Sequence, residues 1–218
     1  DTEFAFGEIK AMKVKGGISI LQYDVTFLQD VEIVFDMPIK RLINFTYCSE
    51  GQIAHTFKNK ENRIELNTFQ TGILANINQS KNTLYFQREV KTKASIISVD
   101  VLHGNSNKFP INAKLKERFI DNREKNVAYV SSPNLKIAQR LKKLRSIKQR
   151  GVVKTLLMEG LVNIILALEI EHHKFDAENK EQNTGSLSNK ELENVKDLSE
   201  YINNFPETSM TVTELARK

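Results

Sequence analysis

From Ile18 to Leu102, apolar and polar residues alternate in short runs, the two-residue period of strands that bury one face. Ile18, Ile20, Val25, Phe27, Ile33 and Phe35 fall on this period, and Asp30, Asp36 and Pro38 mark the breaks. Ile43, Phe45 and Tyr47, then Ile53, His55 and Phe57, flank Ser49-Glu50-Gly51-Gln52. That arrangement predicts a hairpin turning on its glycine. Further strand-like runs cover 63–69, 72–78, 83–90 and 94–102, separated by Asn- and Lys-rich turns. About eight short strands at this spacing predict an antiparallel sandwich or open barrel.

Past Gly104 the period becomes helical. A first helix is predicted over 112–122, with Ala113, Leu115, Phe119 and Ile120 on its apolar side. Pro133 opens a second, whose buried stripe is Ile137, Ala138, Leu141, Leu144 and Ile147, and Gln149-Arg150-Gly151 ends it. The third, 152–175, is apolar on nearly all sides: Val153, Leu156, Leu157, Leu161, Ile164, Ile165 and Leu168 sit on one wide face, and Val162, Leu166 and Ile170 extend it. Such a helix must be covered all round. The sheet can cover one side, and either a second copy of the chain or the first two helices must cover the rest.

Residues 176–187 have almost no apolar side chains and read as a linker. Ser188 and Glu191 then stand in capping-box spacing, Val195, Leu198, Ile202 and Phe205 form a stripe, and Pro206 stops it. Thr211 and Glu214 repeat the capping box. The predicted class is α+β, with a β domain over 1–105, a helical region over 106–175, a linker over 176–187 and a final helical segment over 188–218.

Charge adds one feature. The net charge is +5, and much of the excess lies between Lys136 and Arg150, where seven basic residues occur without an acid. A basic face of this kind is either solvated or follows phosphate. Lys154, Glu159, Asn163 and Glu169 interrupt the apolar run of the third helix, which argues against a membrane span. Cys48 is the single cysteine, so no intramolecular disulfide is possible, and a reducing cytoplasm fits.

The order β-rich half, apolar helices, polar linker and closing Thr211-Val212-Thr213-Glu214-Leu215-Ala216-Arg217-Lys218 resembles the AraC/XylS family of bacterial transcription regulators. The closing segment is similar to the first part of that family's helix-turn-helix domain. In the family, Glu-Leu-Ala is usually followed by Ala-Gly and the recognition helix, so the resemblance implies a protein cut before that helix. The strand segments Val31–Phe35, Phe45–Gly51 and Lys93–Val99 resemble the branch typified by the siderophore-responsive regulator PchR. The family's layout implies a cupin-like barrel that senses a small molecule and helices that dimerise. It further implies DNA as the partner of the full-length protein.

A barrel pocket is lined by alternating inward side chains. The candidates are Tyr23, Phe45, Tyr47, His55, Tyr85 and Arg88, with the whole set exchanged if the face assignment slips by one residue. Leu157, Leu161, Ile164, Ile165 and Leu168 are the dimerisation candidates. Thr211, Arg217 and Lys218 are placed to touch phosphate. With no recognition helix, this chain is expected to bind operator DNA weakly or not at all.

Cys48 and His55 flank the Gly51 turn and can pair as nucleophile or metal ligands, although a buried cysteine commonly packs as a small hydrophobe. Glu169 and His173 have helical metal-ligand spacing, with a helix-end histidine as the competing reading. The β half carries only His55 and His103 and no His-x-His pair, which gives no support to a metal-dependent cupin enzyme. No cofactor is expected. A stand-alone small-molecule-binding module is the alternative to a regulator.

Overall fold

The computed structural model describes residues 4–36, 38, 40–56, 63–78, 81–103, 110–121, 123–179, 194, 197 and 198. The chain divides into two compact units, Asp1–Glu178 and Asn179–Lys218. In the second unit, Asn194, Asp197 and Leu198 are helical and Leu198 is half-buried. They fall on the helix expected after Ser188.

The first unit has the expected α+β architecture. One sheet contains β1 (Ala5–Val14), β2 (Ile18–Phe27), β4 (Leu42–Glu50), β7 (Thr71–Ala75), β9 (Thr92–Asp100) and β10 (Val127–Val130), in the order β1-β2-β9-β4-β7-β10. The other contains β3 (Val31–Asp36), β5 (Ile53–Thr56), β6 (Ile64–Leu66) and β8 (Lys81–Phe86), in the order β3-β8-β5-β6. Every pairing given for these strands is antiparallel. The helices are α1 (Pro110–Phe119), α2 (Leu135–Arg145) and α3 (Gly151–Asn179).

The larger sheet is a middle layer. Ile43, Phe45, Ile73, Ala75, Ile97 and Val99 point from it toward the helices, where they meet Leu115, Phe119, Leu141, Val162 and Ile165. Tyr23, Cys48, Ala94 and Ile96 point the other way and share a second core with Leu66, Leu84 and Phe86. Period-two alternation in each central strand therefore serves two cores at once.

Three features differ from the sequence expectation. The segments around Gly51 do not form a hairpin: β4 pairs with β7 and β9, whereas β5 pairs with β6 and β8 in the opposite sheet. Gly51 is the corner between layers. It has φ +76°, and a Cβ there would stand 2.3 Å from the Lys91 carbonyl oxygen, so glycine is required on both counts. Strands β1 and β10 add to the sheet beyond the expected set. The third helix continues past Phe175, so Asp176 is a buried helical residue and not the start of a linker.

Local chemistry sets the helix starts. Asn134 caps α2 by accepting from the amides of Lys136 and Ile137. At the other end, Arg145 reaches the sheet and donates to the carbonyls of Tyr23 and Ala94 and to Ser95 Oγ.

Candidate functional site

A cavity of about 360 Å³ opens between the two sheets. That volume is at the lower end of the range for small-molecule pockets. Asn44 and Thr46 enter it from β4 and Ser98 from β9, facing His55 from β5 and Asn82 from β8. Phe35, Leu21, Leu84 and Ile96 supply apolar wall, and Lys13 on β1 stands at the exposed edge.

The polar groups are mostly buried. Ser98 Oγ donates to Asn44 Oδ1 at 2.7 Å. Thr46 is fully buried and its hydroxyl has no hydrogen-bond partner among the described residues. A buried hydroxyl without a partner carries a desolvation cost that a bound molecule or water removes. Burial lowers the His55 pKa to about 4, so its imidazole is neutral near pH 7. Among the described residues, no carboxylate lines the cavity. The buried part suits an apolar body with uncharged hydrogen-bonding groups, and Lys13 puts a cation at the open edge.

The six pocket candidates separate. His55 is in the cavity wall. Tyr23 lies in the same inter-sheet space, 5.1 Å from the Phe86 ring, with burial pushing its phenol up to about 12. Phe45 and Tyr47 point to the helix layer, Phe45 edge-on to Phe119 at 6.3 Å. Tyr85 is half-buried, with the Arg63 guanidinium 4.0 Å above its ring. Arg88 is exposed next to the β8–β9 turn, and its amide donates to Asp30. The cavity's amides and hydroxyls, Asn44, Thr46, Asn82 and Ser98, were missed. Their signal was the polar half of the alternation in β4 for Asn44 and Thr46, in β8 for Asn82 and in β9 for Ser98, which in a one-core sheet would face water.

Behind β4, α3 carries a buried polar cluster. Thr71 Oγ1 donates to Glu169 Oε1 at 2.8 Å, and Thr71 pairs across strands with Tyr47. Burial, with the charge of Asp176 adding to it and the Thr71 hydrogen bond opposing it, raises the Glu169 pKa to about 8. About two turns further on, Asp176 accepts from Tyr129 Oη, from the Ser132 amide at 2.9 Å and from Ser132 Oγ at 2.8 Å. Burial opposes its ionisation, but these hydrogen bonds and nearby His172 outweigh it and hold Asp176 below the usual carboxylate range. His173 Nδ1 accepts from Arg118 at 3.1 Å and its ring abuts Phe119 and Tyr129. His172 and His173 therefore stand inside the helix, not at its end.

The rest of α3 is divided by face. Met158, Val162, Ile165 and Leu166 are buried against the sheet and the other helices. Val152, Val153, Leu156, Leu157, Ile164 and Phe175 are exposed, with Leu156 at 59% and Ile164 at 45%. Of the dimerisation candidates, Leu157 and Ile164 are open, Leu161 and Leu168 are half-buried at the margins, and Ile165 faces inward at 0%. By length and composition α3 passes as a candidate bilayer span, its most apolar 18-residue window having mean hydropathy 1.8, although core helices pass the same test.

Cys48 Sγ donates to the Gly51 carbonyl at 3.3 Å, and burial pushes its thiol up to about 12. This disfavours a thiolate nucleophile. Among the described residues, no three His, Cys, Asp or Glu are grouped to hold a metal. Thr211, Arg217 and Lys218 lie outside the described residues.

No family model matches the sequence, and no curated protein matches it. Solved structures of similar shape include the AraC-like transcriptional activator CuxR, with TM-score 0.48 and 10% identity over 96% of this chain and 68% of that one. ToxT from Vibrio cholerae has TM-score 0.42 and 10% identity, covering 91% of this chain and 68% of that one. A cupin domain of an XRE family transcriptional regulator from Enterobacter cloacae has TM-score 0.34 and 9% identity, covering 44% of this chain and 97% of that one. These are AraC-like and cupin regulators at low identity, and likeness at this level assigns no activity to the chain.

Proposed function

We propose that this chain is the ligand-sensing and dimerisation region of an AraC-type DNA-binding transcription regulator, which controls transcription by how its effector sets the presentation of the DNA-binding domain. The observation that carries the reading is the double use of β4. Asn44 and Thr46 line the cavity, while Ile43, Phe45 and Tyr47, one residue out of step, pack under the helices. A molecule that prefers one position of β4 thereby biases α3 through a single strand.

The exposed stripe on α3 supports association of two copies. Leu157, Gly160, Ile164 and Ala167 recur at alternating steps of three and four, the period of a helix–helix seam. A Cβ on Gly160 would meet nothing within 4 Å, so the chain's own packing does not require glycine there. Glycine in a helix interior costs about 1 kcal/mol relative to alanine, and close approach of a second helix offsets such a cost. In this reading the effector is a small molecule, DNA is the partner of the full-length protein, and the chain works in the cytoplasm as a homodimer without enzymatic activity.

Native mass spectrometry of freshly purified protein tests the reading. A dimer mass, with a bound small molecule that Thr46→Val or Asn44→Leu releases, is the expected result. A monomer that carries nothing from cell extract overturns it.

A further inference from the structure

The regulator reading leaves the basic segment between α1 and the acid-free start of α3 unused. From Asn126 to Met158 there are eight basic residues and no acid. On α2, Ile137, Leu141 and Leu144 are buried, so the exposed side is Lys136, Gln139, Lys142, Lys143 and Ser146. Lys148, Gln149 and Arg150 continue it through the connection, and Lys154 follows in the first turn of α3. Among the described residues, the side chains of Lys136, Arg140, Lys143, Lys148, Arg150 and Lys154 form no ion pair.

We propose that this face of α2, with the connection to α3, docks on the phosphate backbone of double-stranded nucleic acid without reading bases. Cations spread over two helical turns, about 10 Å, span neighbouring phosphates, and the interleaved Gln139 and Gln149 amides add hydrogen bonds of the kind that phosphate oxygens receive. The first turn of α3 contains no acid, so its amides present a positive end beside Arg150. An anionic membrane is the weaker partner. Val152, Val153 and Leu156 at the start of α3 are exposed and apolar, but a helix that docks in a bilayer interface places apolar side chains on its own outward face, and those of α2, which carries most of the cations, are on the buried side. The inference stands independently of the cavity and of α3 association.

The test is fluorescence anisotropy of the purified chain with a labelled random-sequence 20-base-pair duplex at 50 and 200 mM salt. Three phosphate contacts predict a loss of roughly 40-fold in affinity between these salts, from a slope of about −0.9 per phosphate. Changing Lys136→Gln, Lys143→Gln and Lys148→Gln together should weaken binding at least about 10-fold at 50 mM and flatten the salt slope by about 2 to 3. Changing exposed Lys40, Lys81 and Lys125 to Gln removes equal charge and should leave both quantities nearly unchanged. Absence of duplex binding by the native chain, equal weakening by both triple variants, or capture by phosphatidylserine vesicles without duplex binding would each overturn the proposal.

Discussion

The two faces of β4 are both buried, but they follow different rules. On the helix side, Ile43, Phe45 and Tyr47 fill a close-packed core with Phe119, Ile137 and Ile165. On the other side, Asn44 and Thr46 meet a cavity, and the Thr46 hydroxyl has no partner among the described residues. Both faces hold a buried hydroxyl without a partner among the described residues, Tyr47 Oη on one and Thr46 Oγ1 on the other; what differs is that the first set packs against side chains and the second borders open volume. The contrast separates residues that hold the fold from residues available for binding, although burial alone ranks them together.

The comparison is broken most severely from the helix side. Phe45→Ala leaves a cavity among α1, β4 and α3 and should cost about 3–5 kcal/mol in urea unfolding. A loss under about 1 kcal/mol would mean that this core is loosely packed. Glu169→Gln tests the polar part of the same face. The folded-state pKa of Glu169, about 8, lies above its ordinary 4.5. The stability linked to its neutral form is therefore complete below about pH 4.5 and is lost as pH rises through 8. Relative to the Gln variant, in which His55 and the other groups titrate alike, the native protein should lose on the order of a few kcal/mol between about pH 5 and pH 8.5. Equal pH dependence would show that Glu169 is not the group responsible.

The cavity side predicts the smallest change in stability. Thr46→Val keeps the shape and removes a partnerless hydroxyl, so unfolding should shift by less than about 1 kcal/mol, in either direction. A larger loss would reveal a hydrogen bond there.

Much of this arrangement was legible in the sequence, because runs such as Ile18–Phe27 and Leu135–Arg145 carry one clear period each. The α+β order and the three helices follow from them. The double burial of β4 was not legible. Its Ile-Asn-Phe-Thr-Tyr pattern reads as apolar inside and polar outside, whereas the polar set faces a second interior. That is why Phe45 and Tyr47 stood as pocket candidates and Asn44 and Thr46 did not. Strand β1 was hidden by its edge position: most of its residues are exposed, and Lys10, Lys13 and Glu8 mask the alternation. Strand β10 was hidden by length, since four residues after a charged stretch give no period to detect. The Gly51 corner has the turn chemistry of a hairpin, and only long-range pairing distinguishes the two.

The central claim is that two copies meet on the exposed face of α3 while the far side of the sheet keeps the cavity. Sedimentation velocity of the native chain and of a Leu157→Asp, Ile164→Asp variant at about 20 µM tests it most directly. The account predicts a dimer for the native chain and a monomer for the variant, which stays folded because both side chains are exposed on the single chain, its thermal midpoint lowered only by the lost association. A native monomer, or a variant that stays dimeric, would contradict it.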